Sequence, residues 1–309
     1  MKIVFMGTPP AAVTSLEALL ASGHDICAVY TQPDRPAGRG GRLTPSAVKV
    51  YAVEHGLAIH QPEKLRAEAE TERFRSVDAD VAVVVAYGRI LPIEYLTAFA
   101  KGAINVHFSL LPKYRGAAPV NWAIVNGDRV TGVTTMRMDT GLDTGDILMQ
   151  RETDIGPEEN AIELMDRLAM TGSQLLLDTL NRLDILKPTP QDNAKATIAP
   201  IMKKSDGQID WNFSAKAIFD RIRGFQPFPG SFSMLNGRRV KLFRSEICDV
   251  GNEASPGTIL AADGEDLIVK CGGNTAIRVL ELQMEGRKRG GVREFINGHL
   301  IERGMRFGG

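Results

Sequence analysis

MKIVFMGTPPAAVTSLEALLASGHDICAVY, residues 1–30, decides the fold. Ile3 to Met6 is a short β-rich run that stops at Gly7. Ala11 to Ala21 then carries Val13, Leu16, Leu19 and Leu20 at helical spacing, and Ile26 to Tyr30 is β-rich again. The unit reads β-α-β. The alternation continues through a helix near Ser46 to His55, a strand near Ala58 to His60, and buried strands at Val81 to Ala86 and Ala103 to Phe108. Val-rich strands separated by helices argue for a parallel sheet covered on both faces, a Rossmann-like α/β domain. Gly7 stands alone where a dinucleotide site would show GxGxxG, so the fold is expected without nicotinamide binding.

The texture changes towards the C-terminus. Ala161 to Leu186 has helical periodicity, with a break expected near Gly172, and closes the first domain. Lys187 to Gly207 holds Pro188, Pro190 and Pro200 with little periodicity, as a linker would. Ser214 to Gly224 reads as helix. Ser231 to Leu282 is a series of short β-rich runs punctuated by Asn236-Gly237, Asp263-Gly264 and Gly272-Gly273, the turn dipeptides of hairpins. A small antiparallel, OB-like β-barrel is expected there. The predicted organisation is a catalytic domain over 1–186, a linker over 187–207 and a barrel over 208–309.

Composition narrows the classes. The 309 residues are 43% hydrophobic and 24% charged, an ordinary globular balance. Formal charge is zero, but the residues up to Leu186 hold 18 Lys+Arg against 23 Asp+Glu, and the remainder 19 against 14, so the halves carry −5 and +5. A basic C-terminal half suits either a solvated surface or a polyanion. Cys27, Cys248 and Cys271 are odd in number and widely spaced, which excludes a disulfide framework or a CxxC site and fits a reducing compartment. The apolar stretch in MKIVFMGTPP is too short for a signal-peptide core, and the longest apolar run, Val81 to Tyr87, is far below the ~18 residues of a membrane span. A cytoplasmic protein is expected.

Asn105 and His107 lie two apart in a predicted strand, so their side chains leave the same face. The strand ends at Ser109-Leu-Leu-Pro112, and ligands of open α/β sheets bind beyond such ends. Asp139-Thr-Gly-Leu-Asp143-Thr-Gly-Asp146 follows the β-rich run Val133 to Met138, with two glycines that permit a tight loop. It does not meet the glycine and glutamate positions of a calcium loop. An imidazole, a carboxylate and an amide together suit acyl transfer: proton shuttle, orienter and oxyanion donor. Adjacent parallel strands, delivering their loops to one sheet edge, are expected to bring them together.

Asn105-Val106-His107, Ser109-Leu-Leu-Pro112, Lys113-Tyr-Arg115-Gly116 and the later Asp143 resemble the signature of folate-dependent formyltransferases. Thr31-Gln-Pro-Asp-Arg-Pro-Ala-Gly-Arg39-Gly40 and Ile222-Arg-Gly-Phe-Gln-Pro-Phe-Pro229 are similar to motifs of the members that act on aminoacylated tRNA. The resemblance implies 10-formyltetrahydrofolate as donor, the amine of methionyl initiator tRNA as acceptor, and no metal; a monomer is expected. It implies Asn105, His107 and Asp143 as the catalytic centre. Folate contacts carried over are Ser109, Leu110, Leu111 and Pro112 with the loop Tyr87, Gly88, Arg89, Ile90 and Leu91; Ile90 and Leu91 read equally well as core. Arg35, Arg39 and Arg42 would meet the tRNA acceptor end, with Arg238, Arg239, Lys241, Arg287, Lys288 and Arg289 as phosphate contacts. A formyltransferase of nucleotide-linked amino sugars is the alternative, against which the insertion at Pro33 to Pro45 argues. Phe108 departs from the small residue the family usually places between His107 and Ser109, which bears on the pocket beside His107.

Overall fold

The computed structural model describes residues 1–37, 41–249, 253–298 and 300–308. They form two compact units, one of residues 1–119, 130–154 and 165–199 and one of residues 120–129, 155–164 and 200–309.

In the first unit a seven-stranded sheet is built from β1 (Lys2–Gly7), β2 (Asp25–Tyr30), β3 (Ile59–His60), β4 (Val81–Val85), β5 (Ala103–His107), β6 (Val130–Arg137) and β7 (Ile147–Asp154). Their order is β7-β6-β5-β4-β1-β2-β3. The five strands from β5 to β3 are parallel, as expected. All five residues of β4 are buried, which is why a run of valine and alanine suits it. The connecting helices begin where local chemistry favours it. Helix α1 (Pro10–Ala21) starts on a proline, whose fixed φ suits the first turn. Helix α2 (Ala47–Glu54) is capped by Ser46, whose hydroxyl accepts from the Lys49 N–H at 3.0 Å. Helices α3 (Glu68–Arg75) and α4 (Ile93–Leu96) bring Phe74 and Tyr95 to a core shared with Val4, Met6, Tyr30, Val84 and Tyr87. The chain turns from β1 towards β2 and β3 on one side and β4 and β5 on the other. The ligand crevice of such a sheet lies at the carboxyl ends of β1 and β4.

Two expectations are corrected. Strand β6 runs antiparallel to β5, and β7 antiparallel to β6, so the sheet is mixed at this edge. Helix α6 (Ala161–Asn181) is continuous through Gly172. A Cβ at 172 would stand 3.0 Å from Val106 Cγ1, 3.3 Å from Val133 Cγ1 and 3.4 Å from Phe108 Cε1. The glycine therefore lets the helix lie close on the sheet, at roughly the 1 kcal/mol that glycine costs a helix. Phe108 is buried on the face of Val106, opposite Asn105 and His107, so it fills the layer under α6 rather than the pocket beside His107.

The second unit is antiparallel throughout its sheet: β8 (Ser231–Leu235), β9 (Arg238–Asp249), β10 (Ile259–Asp263), β11 (Asp266–Lys270) and β12 (Thr275–Met284) in the order β8-β9-β12-β11-β10. Asn236 and Gly237 join β8 to β9 with φ of 49° and 72°, the left-handed pair of a type I′ turn. Helix α7 (Ala215–Gly224) places Ile218 and Ile222 in a core with Leu242, Val279 and Phe295. Within the stretch Ile222 to Pro229, Arg223 is buried. It pairs with Asp220 at 2.9 Å and donates to the Glu159 and Gly156 carbonyls at 2.8 and 3.2 Å, a structural commitment.

Candidate active site

Asn105 and His107 project from one face of β5 and are 8% and 5% exposed. The His107 Nε2 lies 2.9 Å from the Tyr114 carbonyl oxygen. A carbonyl only accepts, so Nε2 carries a proton and donates. Nδ1, the other ring nitrogen, faces Asp143 Oδ2 at 3.7 Å. As a cation the ring therefore donates at both ends, to a carbonyl and towards a carboxylate. The same Oδ2 accepts from the Gly116 N–H at 2.8 Å.

Parallel strands do not deliver Asp143. Arg137 pairs with Ile104, and the Met138 N–H donates to the Ala103 carbonyl at 2.8 Å, so β6 ends beside the start of β5. His107 is three residues further along, about 10 Å away at the usual strand rise. The loop 138–146 must therefore turn back over the sheet to bring the carboxylate to the imidazole. Its glycines make that possible: a Cβ on Gly145 would sit 1.8 Å from the Arg137 carbonyl oxygen. Asp139 Oδ1 braces the turn by accepting from the Gly141 N–H at 3.0 Å and the Thr144 hydroxyl at 2.7 Å. Asp143 itself adopts φ +53°.

Sequence reasoning missed the groups that hold this loop, because they lie in the stretch it treats as linker. Gln191 Nε2 donates to the carbonyls of Asp143 at 2.8 Å and Gly145 at 2.7 Å. Its Oε1 accepts from Arg115 Nε at 3.0 Å and Nη2 at 2.8 Å, and Nη2 also reaches Asn193 Oδ1 at 2.8 Å. Further along, the Tyr114 N–H donates to the Thr197 hydroxyl at 2.8 Å, and residues 198–199 pair with 115–116. The Lys-Tyr-Arg-Gly stretch is thereby tied down on both sides of Tyr114.

The residues named for folate divide into scaffold and surface. Thr134 Oγ1 donates to the Ser109 carbonyl at 2.7 Å and accepts from Leu111 N–H at 3.1 Å and Gln150 Nε2 at 2.9 Å. The Ser109 hydroxyl is spent on the Lys113 carbonyl at 2.6 Å, and Leu111 is buried. Leu110 and Pro112 are half-buried and keep open surface. In the second loop Ala86 (φ 46°) and Gly88 (φ 79°) bend the chain sharply. Tyr87 and Leu91 belong to the core, and Arg89 donates to the carbonyls of Pro62 and Glu63 at 2.9 Å each. Ile90 is 78% exposed. Of the pair with two readings, Leu91 packs in the core and Ile90 presents a free apolar face.

Arg35–Ala37 and Arg42–Thr44 form a two-stranded antiparallel ribbon, with Arg35 and Arg42 exposed. Arg39 lies outside the described residues. At the ribbon's base Asp34 accepts from Gln61 at 2.8 Å and pairs with Lys49 at 2.7 Å, which together hold its carboxyl below the usual range.

Residues 1–180 match the formyl transferase family and residues 201–300 its C-terminal domain. The chain belongs to the formyltransferase family. Among its relatives, the methionyl-tRNA formyltransferase of Geobacter metallireducens is 46% identical over 310 residues, covering 100% of this chain and 99% of its own. That of Koribacter versatilis is 48% identical over 305 residues, covering 97% and 96%. Two solved structures share the fold. One is a Helicobacter canadensis N-formyltransferase in complex with folinic acid and dTDP-3-aminofucose, with TM-score 0.68 and 20% identity over 90% of this chain and 98% of that one. The other is WlaRD, a sugar 3N-formyl transferase, with TM-score 0.69 and 21% identity over 93% and 99%.

Proposed function

We propose that this chain transfers the formyl group of 10-formyltetrahydrofolate to the α-amine of methionine esterified to initiator tRNA, for translation initiation. It would act in the cytoplasm as a monomer. Full-length similarity to methionyl-tRNA formyltransferases supports the acceptor. The observation that carries the chemistry is the Asp143 carboxylate 3.7 Å from His107 Nδ1, on the sheet face that Asn105 shares.

In this reading the amine nitrogen attacks the formyl carbon and the carbonyl electrons move to oxygen. The Asn105 amide and the His107 cation stabilise that oxyanion, and Asp143 balances the ring's charge. The carbon–nitrogen bond to the folate then breaks. The amine loses one proton and the departing folate nitrogen gains one, which His107 and Asp143 relay. Ile90, Gly88, Leu110 and Pro112 offer surface to the flat pterin, while Tyr87, Arg89, Leu91, Ser109 and Leu111 hold the two loops in shape. Arg35, Arg39 and Arg42 meet the acceptor end. In the second unit Arg239 lies 3.5 Å over the Phe232 ring and Arg289 4.1 Å over Phe243. Arg289 is paired with Glu281, so phosphate contacts fall to the exposed Arg238, Lys241, Arg287 and Lys288.

The test supplies 10-formyltetrahydrofolate with three acceptors: methionyl initiator tRNA, a UDP-amino sugar and glycinamide ribonucleotide. Turnover confined to the tRNA is expected. Preference for the sugar would overturn the acceptor assignment while leaving the chemistry.

A further inference from the structure

We infer that Gln191 is a positioning residue for formyl transfer: it sets where Asp143 stands against His107, and Arg115 sets which way the Gln191 amide points. The inference rests on the catalytic reading of Asp143 above. Gln191 has two amide N–H groups, and both are spent on carbonyls flanking Thr144, those of Asp143 and Gly145. This clasp closes the part of the loop that has turned back over the sheet, at a residue held with positive φ.

The amide can face only one way. Rotated by half a turn, it would aim Oε1 at two carbonyl oxygens and offer donors to a guanidinium. Arg115 enforces the productive orientation by donating twice to Oε1. Arg115 is 7% exposed, and its side-chain partners are the neutral amide oxygens of Gln191 and Asn193. The next residue, Gly116, donates its N–H to the Asp143 carboxylate. Consecutive residues thus fix Asp143 at both ends, Gly116 at the side chain and Arg115, through Gln191, at the main chain. Displacing a reacting group by about 1 Å can cost 10²-fold in rate, so a clasp on the loop backbone acts on kcat.

The experiment compares Gln191→Glu, which keeps the shape and the acceptor for Arg115 but loses both donors, with Gln191→Leu. Expected is a fall in kcat of about 10- to 100-fold in each, with KM for folate and tRNA within about 3-fold and a native circular dichroism spectrum. Each change is then combined with Asp143→Asn under single-turnover conditions. If Gln191 acts through Asp143, the second change adds little to the first. Losses that multiply, or a wild-type kcat in both single variants, overturn the proposal. A wild-type rate in Asp143→Asn alone would remove Asp143 from the mechanism and this role with it. Should a different acceptor prove to be the substrate, the same cycle run on it still reads the clasp.

Discussion

Gly145→Ala puts the returning loop to the most direct test. An added Cβ would stand 1.8 Å from the Arg137 carbonyl oxygen and 2.9 Å from its carbonyl carbon, whereas real Cβ atoms keep at least 3.0 Å. Backbone must therefore withdraw by 1.2 Å (3.0 − 1.8). Arg137 is paired with Ile104 inside the sheet, so the loop is what moves. Asp143 lies two residues away, and the Gly145 carbonyl is half of the Gln191 clasp, so the carboxylate shifts by a comparable amount. A misplacement of about 1 Å corresponds to ~10²-fold in rate. Overpacking adds about 1–3 kcal/mol of instability, a fall of several degrees in Tm. Gly141→Ala is the control. Its Cβ would meet only the Thr144 side chain, with the hydroxyl at 1.9 Å, Cβ at 3.0 Å and Cγ2 at 3.1 Å, so relief costs the hydroxyl's bond to Asp139 and a few tenths of an ångström rather than a shift of strand backbone, and a smaller fall in kcat than in Gly145→Ala is expected. Steady-state kcat on charged tRNA and a thermal melt decide the matter. A Gly145→Ala variant with wild-type kcat would refute the claim that this loop's path positions the carboxylate.

Asn105→Ala and His107→Ala should each lower kcat by ~10² or more, measured by formyl transfer at saturating substrates; near-normal kcat removes that residue from the chemistry. His107→Ala should also lower Tm, because it removes a buried hydrogen bond to the Tyr114 carbonyl, at about 0.5–1.5 kcal/mol. Asp143→Asn should match the loss in kcat with folate KM unchanged, and a pure KM effect would make it a binding residue. Burial pushes the phenols of Tyr87 and Tyr95 up to about 12 and that of Tyr30 higher still. Folded pKa values above the unfolded ~10 leave stability intact below pH 10 and erode it above, so at pH 11 the native protein should show clearly fewer phenolates by near-ultraviolet absorbance than the denatured chain, in which most of the five tyrosines are ionised. Arg39→Ala, or deletion of residues 35–42, should cut kcat/KM on charged tRNA while folate titration stays the same; an unchanged kcat/KM would refute the ribbon's part in holding the acceptor.

Much of the fold was legible because apolar spacing records local geometry. The β-α-β opening and the helix capped by Ser46 fall within a residue or two of expectation. Strand direction was not legible. The run from Val133 to Met138 has the same period whichever way it points, so its antiparallel pairing with β5, reached after α5 (Pro119–Val125), is not marked in it. Gly172 misled for a related reason. Glycine lowers helix propensity locally, but its use here is contact with Val106 and Phe108, some 65 residues earlier in the chain, and no window of sequence contains both partners.

The site divides along the same line. Asn105 and His107 were legible because a two-residue period places them on one face, and Asp143 because two glycines and three acids mark a loop that must do something unusual. Gln191 carried no such mark. The groups it holds are the carbonyls of Asp143 and Gly145, which every residue possesses, so nothing about residues 143 and 145 announces a partner at 191. The same holds for Thr134, whose single hydroxyl serves the backbone of Ser109 and Leu111. A residue that meets developing charge must be of a particular type and spacing, and its pattern survives in the sequence. A residue that meets backbone needs only a donor at the right point in space, so its role emerges when the chain is folded.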